Sequence, residues 1–253
     1  MARTPFLLLP PSEGKVAGGT RRRTPDEFAL TLGDERAAVA VALRTSLERA
    51  SRHEREQLVN AHGDLARRGL DALGTYLDGE SLLMPAWRRY DGVVWRHFAP
   101  GSLTGAQRRR VLVPSSLYGV TTANDVIADY RMKMSVRLHN TGVVARFWRR
   151  PLTQALAAYV GGSTVVDLLP AEHAAALDVD ALANLVDFVR VSFVDAKHSR
   201  AVGHDAKAIK GALARRLMLE GLGDLEDFTW QGWRVRKRDG GFVVVAPSLT
   251  RHD

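Results

Sequence analysis

The 253-residue chain is 45% hydrophobic and 25% charged, the proportions of a packed globular protein rather than a disordered or fibrous one. It has no cysteine, which excludes disulfide frameworks, thiolate nucleophiles and thiolate zinc sites, so any chemistry falls to Lys, Arg, His, Tyr, Ser or carboxylates. Lys plus Arg number 36 against 28 Asp plus Glu, a formal charge of +8 that concentrates polyanions and makes nucleic acid one candidate partner; an Arg- and Ala-rich coding composition is the other origin of such an excess.

Met1 to Leu9 carries one arginine and an apolar run that stops at Pro10-Pro11. That run is too short for a signal sequence or a membrane span, which predicts a buried strand over Phe6 to Leu9 and a cytoplasmic protein with no membrane partner. A loop with Gly14, Gly18 and Gly19 spans Pro10 to Arg23, and Thr24-Pro25-Asp26-Glu27 has the capping-box spacing with proline at the first helical position. Apolar positions such as Val39, Leu43 and Leu47 predict helices over Asp34 to Arg49 and Glu54 to Leu77, a helical section at about 34–80. Short apolar runs at Val93 to Trp95, Val111 to Pro114, Thr164 to Leu169, Val189 to Val194 and Phe242 to Ala246 read as strands, and Arg146 to Val160 and His204 to Leu219 as helices. Trp233 to Lys237 and Phe242 to Ala246 flank Arg238-Asp239-Gly240-Gly241, a hairpin turn. Strand alternation places Arg234, Arg236 and Arg238 on one face, either solvated or tracking phosphates. With no repeat and no linker, the expected fold is α/β (mixed α+β), a single composite domain over 1–253 with a central mixed sheet and a helical section.

Three segments carry candidate chemistry. Leu9-Pro10-Pro11-Ser12-Glu13-Gly14-Lys15 follows a buried strand, where free backbone amides meet anions. It lacks the two glycines and the Lys-Ser/Thr pair of a Walker loop, which excludes an NTPase reading, and an exposed surface loop is its plain alternative. Val113-Pro114-Ser115-Ser116-Leu117-Tyr118-Gly119 also runs from strand to loop, ahead of Tyr130-Arg131-Met132-Lys133-Met134. In an extended backbone Arg131 and Lys133 share a face and call for an anion between them, either a ligand or an internal carboxylate such as Asp125 or Asp129. The third segment opens a helix, with Lys207 and Lys210 three apart in its first turn. Cations there add to the positive end of the helix dipole and suit a phosphate, a solvated face being the alternative. The histidines match no zincin spacing and Gly-x-Ser-x-Gly is absent, so no metal, no cofactor and no serine triad are expected.

Taken in order, these segments resemble the YaaA (peroxide stress protein) family. The likeness extends through Tyr90-Asp91-Gly92-Val93-Val94-Trp95, Phe147-Trp148, Val165-Val166-Asp167-Leu168, Phe193-Val194-Asp195, Ala206-Lys207-Ala208-Ile209-Lys210-Gly211 and Gly232-Trp233. It implies one mixed α/β fold with a positively charged cleft, and binding of duplex or branched DNA through a helix-hairpin-helix-like element during the oxidative (peroxide) stress response. The anion-binding set is then Ser12, Lys15, Ser116, Tyr118, Arg131, Lys207 and Lys210. The alternative is an enzyme acting on a nucleotide-like or phosphorylated small molecule, with Lys133, Tyr130 and Lys207 as catalytic candidates. In that reading a desolvated lysine forms a Schiff base or acts as a base.

Overall fold

The computed structural model describes residues 4–21, 28–196 and 205–247. Strand β1 (Phe6–Leu8) and the short β2 (Thr20–Arg21) precede the helical section, α1 (Gly33–Arg49), α2 (Arg52–Val59) and α3 (Gly63–Leu77). Strand β3 (Leu82–Pro85) and helices α4 (Ala86–Arg89), α5 (Val93–Phe98) and α6 (Gly105–Arg109) lead to β4 (Val111–Ser115), β5 (Gly119–Thr122) and β6 (Val126–Ala128). A small hairpin, β7 (Arg137–Leu138) and β8 (Gly142–Val143), feeds α7 (Val144–Val160). The chain then runs through β9 (Thr164–Asp167), α8 (Ala171–Ala174), α9 (Val179–Ala183), β10 (Asp187–Val194), α10 (Asp205–Glu220), β11 (Thr229–Trp230), β12 (Trp233–Arg238) and β13 (Gly241–Val245).

Eight strands make one mixed sheet in the order β11-β12-β13-β10-β9-β1-β4-β5. Strand β1 lies inside it, parallel to β4 (Leu7 opposite Val111) and to β9 (Phe6 opposite Val165). Its Phe-Leu-Leu run is buried throughout, as a parallel strand covered on both faces must be. The chain steps from β1 to β4 on one side and later crosses to β9, β10 and β13 on the other. The order therefore reverses at β1, and the carboxyl ends of β1, β4 and β9 border the crevice this reversal opens. Buried side chains from the sheet, the helical section and α10 belong to one continuous core.

Several expectations need correction. Val93–Trp95 is not a strand but the start of α5, entered from Gly92; a three-residue apolar run cannot distinguish the two states by period. The single helix expected over Glu54 to Leu77 is two. A Ser51 capping box opens α2, and the chain turns through Asn60 (φ 48°) and Gly63 (φ 57°) before α3 continues. In the last hairpin Arg238 faces Gly241 across a turn in which Gly240 alone takes positive φ, at 71°. Arg234, Arg236 and Arg238 are all exposed. The Thr24 to Glu27 box lies outside the described residues. Among the described residues no helix is long and apolar enough to cross a membrane.

Helix α10 rests on α5 at Gly211, where an added Cβ would be driven into the Val94 carbonyl oxygen and to 2.7 Å from His97 Cβ. Gly211→Ala therefore destabilises by about 1–3 kcal/mol despite the better helix propensity of alanine. In α3, Gly74 has no atom within 4 Å of an added Cβ, and Gly74→Ala stabilises by up to about 1 kcal/mol. Urea midpoints of the two variants should move in opposite directions.

Candidate functional site

The loop after β1 is folded back by contacts the sequence builds in. Trp95 Nε1 donates to the Pro10 carbonyl at 3.0 Å, and Gly92 leaves room for Ser12, whose Oγ would collide with any Cβ there. The loop then runs antiparallel to the end of α4. Lys15 bridges Tyr90, Val16 N–H donates to Arg89 O at 2.9 Å, and Asp91 N–H donates to Gly14 O at 3.1 Å. The fully buried Arg89 guanidinium ties the next stretch down by donating to the carbonyls of Val16, Gly18, Leu82 and Ile127. The result holds Lys15 Nζ 2.8 Å from the Ser12 carbonyl, which accepts its hydrogen bond. Nζ also lies 4.2 Å from the Tyr130 ring centroid and 5.6 Å from that of Tyr90.

The opposite wall comes from β4 and the 130–134 segment. Ser115 Oγ accepts from the amides of Leu117 and Tyr118 and donates to the Tyr130 hydroxyl at 2.7 Å, and the Tyr130 and Tyr90 hydroxyls lie 3.2 Å apart. Burial raises the pKa of both phenols, so they stay protonated. Ser116 Oγ donates to Met132 O at 2.7 Å. This holds the 130–134 segment with Met132 and Met134 buried and Arg131 and Lys133 half-buried. Arg131 in turn donates to the carbonyls of Val59 (2.9 Å) and Asn60 (3.3 Å), fastening the α2–α3 turn to the site, and lies 3.6 Å from Glu13.

These walls line a partly open cavity of about 60 Å³. Its charged lining is Lys15, Arg131 and Lys133 with Glu13 and Glu172; Ser12, Ser116, Tyr130, Asn60 and His173 complete the polar set. Contributions from the loops after β1, β4 and β9 put it at the strand-order reversal. Burial, opposed by the Asp129 carboxylate and reinforced by Arg131, pulls the Lys15 pKa down to about 7. His173 is pushed to about 4, first by burial and then by the charges of Lys210 and Lys15. Its Nδ1 is buried and without a hydrogen-bond partner among the described residues.

Of the residues expected from sequence, Ser12, Lys15, Ser116, Tyr130, Arg131 and Lys133 line this one cavity. Tyr118, Lys207 and Lys210 do not. The Tyr118 hydroxyl accepts from the Ala128 amide at 3.0 Å, its ring packed edge-on against Tyr130. Lys207 and Lys210 part company along α10: Lys207 is exposed in the first turn, whereas Lys210 is buried in the second, 4.9 Å from the Phe193 ring centroid. Burial, opposed by Asp167, lowers the Lys210 pKa to about 8. The internal anions proposed for Arg131 are engaged elsewhere, Asp129 by Arg68 at 2.9 Å and Asp125 by the Thr122 amide at 2.8 Å, and the carboxylate beside Arg131 is Glu13. Gly221 closes the C-terminus of α10, with Arg216 donating to the carbonyls of Gly221 and Gly223, so the glycines after that helix form a cap. His173 belongs to no zincin spacing and was not among the residues expected here. The signal that would have found it is its position six residues past the end of β9, the strand beside β1.

A half-buried lysine on tyrosine faces lines a small polar cavity at the strand-order reversal of this mixed α/β fold. The sequence matches the model of the family described as Peroxide stress protein YaaA over residues 6–239, and the chain belongs to that family. It is 34% identical to a UPF0246 protein of Streptomyces coelicolor, covering 85% of this chain and 84% of the relative. A UPF0246 protein of Limosilactobacillus fermentum is 30% identical over 79% of this chain and 83% of its own length.

The His173 shift links the pocket to acid stability. With its folded pKa near 4 and an ordinary value of 6.5, the unfolded chain binds the extra proton between those values. The stabilisation from keeping His173 neutral is complete above about pH 6.5 and is lost as pH falls toward 4. His173→Gln should therefore unfold with a shallower pH dependence than the parent in that window, the gap closing by on the order of 2 kcal/mol in urea titrations.

Proposed function

We propose that this cavity holds the acidic group of a small phosphorylated or nucleotide-like molecule. The carrying observation is the convergence of Lys15, Arg131 and Lys133 on one partly open space of about 60 Å³. A water needs about 10–15 Å³ of such space, so there is room for a phosphoryl or carboxylate group. Arg131 supplies charge from a fixed position, since its guanidinium is already oriented by the Val59 and Asn60 carbonyls. Lys133 reaches the same cavity and is the cation whose removal disturbs least of the scaffold. Tyr130 fits a positioning part better than proton transfer, because its hydroxyl is engaged by Ser115 and its pKa is raised. Membership in a peroxide stress family supports a stress-linked ligand over a housekeeping one.

Isothermal titration with inorganic phosphate and with a nucleoside monophosphate tests this reading. The parent should bind, Lys133→Gln should bind about 10-fold or more weakly, as expected for loss of one charge-assisted contact, and Arg236→Ala should be unchanged. Equal affinity of Lys133→Gln and parent, or no binding by the parent, would overturn it.

A second reading, duplex or branched DNA held through phosphates, draws on a different place. A wider hollow of about 760 Å³ lies beside α1 and α2, lined by Arg49, Arg137 and His139, with Arg49 Nη1 3.1 Å from His139 Nε2. If it binds DNA, affinity falls steeply with salt, and Arg49→Ala with Arg137→Ala reduces the log–log salt slope by about 2 while phosphate binding in the small cavity is untouched.

A further inference from the structure

We propose that Lys15 is a covalent nucleophile whose amine adds to the carbonyl carbon of a small molecule bearing both an aldehyde or ketone and an acidic group, with His173 carrying the proton. This rests on the reading that the cavity accepts an anion.

The geometry argues for an amine kept free to react. The carboxylates that would lock Lys15 as an ammonium are held by arginines: Asp129 by Arg68 at 2.9 Å and Glu13 near Arg131 at 3.6 Å. Among the described residues the one hydrogen bond of Nζ goes to a neutral carbonyl, that of Ser12, and the faces of Tyr130 and Tyr90 lie beside it. That arrangement aims the nitrogen without making it a permanent cation. The charged groups acting on it are Asp129, Arg131, Glu13 and Arg89, with His173 coupled to it across the same cavity. Their balance with burial leaves the amine about half neutral near pH 7. Arg131 and Lys133 supply the acidic group's partners on the facing wall.

In the step itself, the nitrogen lone pair forms the C–N bond while the carbonyl π pair moves to oxygen. One N–H proton passes to that oxygen, and the unpartnered Nδ1 of His173, which lines the same cavity, is our candidate to carry it. The hydroxyl then takes a second proton from solvent and leaves as water as the nitrogen lone pair closes the C=N bond, and the remaining N–H proton of the iminium returns to solvent. Amine and carbonyl become imine and water, with no oxidant or reductant.

The test is reductive alkylation with glyoxylate and sodium cyanoborohydride near pH 7, each lysine followed by peptide mass mapping. An ordinary lysine is about 1 part in 3,000 neutral there. Even after the lower nucleophilicity of a less basic amine, Lys15 should be alkylated at least about 10-fold faster than the exposed Lys237. The Lys15 rate should level off above about pH 7, whereas an ordinary lysine side chain reacts faster up to about pH 10. Alkylation of Lys15 no faster than Lys237 overturns the inference, and because this comparison is made within the unmutated protein no folding defect can mimic it. Formaldehyde, which carries no acidic group, separates the two readings. Lys133→Gln slowing glyoxylate but not formaldehyde supports both, whereas fast labelling by both reagents indifferent to Lys133→Gln keeps the nucleophile and sinks the anion pocket. Phosphate binding without fast labelling keeps the pocket and sinks the nucleophile.

Discussion

The partial withdrawal of one ammonium group from water governs this molecule's site. Lys15 has its nitrogen on the faces of Tyr130 and Tyr90 and donates to a single backbone carbonyl. Desolvation of a lysine is costly, and a protein tolerates it by stabilising the cation or by letting the proton go. Both happen here. The aromatic faces and the Asp129 field favour the ammonium, while burial and the Arg131 charge oppose it, and the pKa settles at about 7. Much of the surrounding architecture keeps that balance in place. Arg89 pins the loop, Gly92 and Trp95 let it fold back, and the Ser115–Tyr130–Tyr90 hydroxyls hold the rings.

The sheet explains why the pocket sits where it does. With β1 flanked by β4 on one side and β9 on the other, the loops leaving all three carboxyl ends splay apart and leave a crevice between them. The β1 loop contributes Lys15, the β4 loop Ser116, and the β9 loop Glu172 and His173. Arg131 adds a fourth contribution by drawing the α2–α3 turn in, so that the helical section closes the cavity instead of standing apart from it.

Long or strongly punctuated elements were legible in the sequence: the buried β1, helices α1, α7 and α10, and the last hairpin with Arg234, Arg236 and Arg238 turned to solvent. What escaped was set by tertiary context. Val93–Trp95 has no period of its own, and it is helical because Gly92 must pass close to Ser12 while Trp95 reaches Pro10. The break at Asn60 is hidden because the flanking apolar spacing stays helical, and Arg131, far away in sequence, holds the turn. At the site, strand-to-loop position pointed to Lys15, Ser116 and Arg131. Lys207 and Lys210, singled out by their place on a helix, do not line this cavity, and their spacing says nothing of which one the core will cover. The net charge of +8 pointed to no particular place: exposed arginines carry much of it, while the pocket itself mixes Lys15, Arg131 and Lys133 with Glu13 and Glu172.

The chemistry of the site depends on the protonation state of Lys15, and a pH titration of its side chain by ¹⁵N-detected NMR, assigned through Lys15→Arg, measures that directly. The buried seat predicts a midpoint of about 7, with the exposed Lys237 as an internal reference in the same spectra. A Lys15 midpoint near 10.5, the ordinary lysine value, would contradict it and show the amine to be solvated.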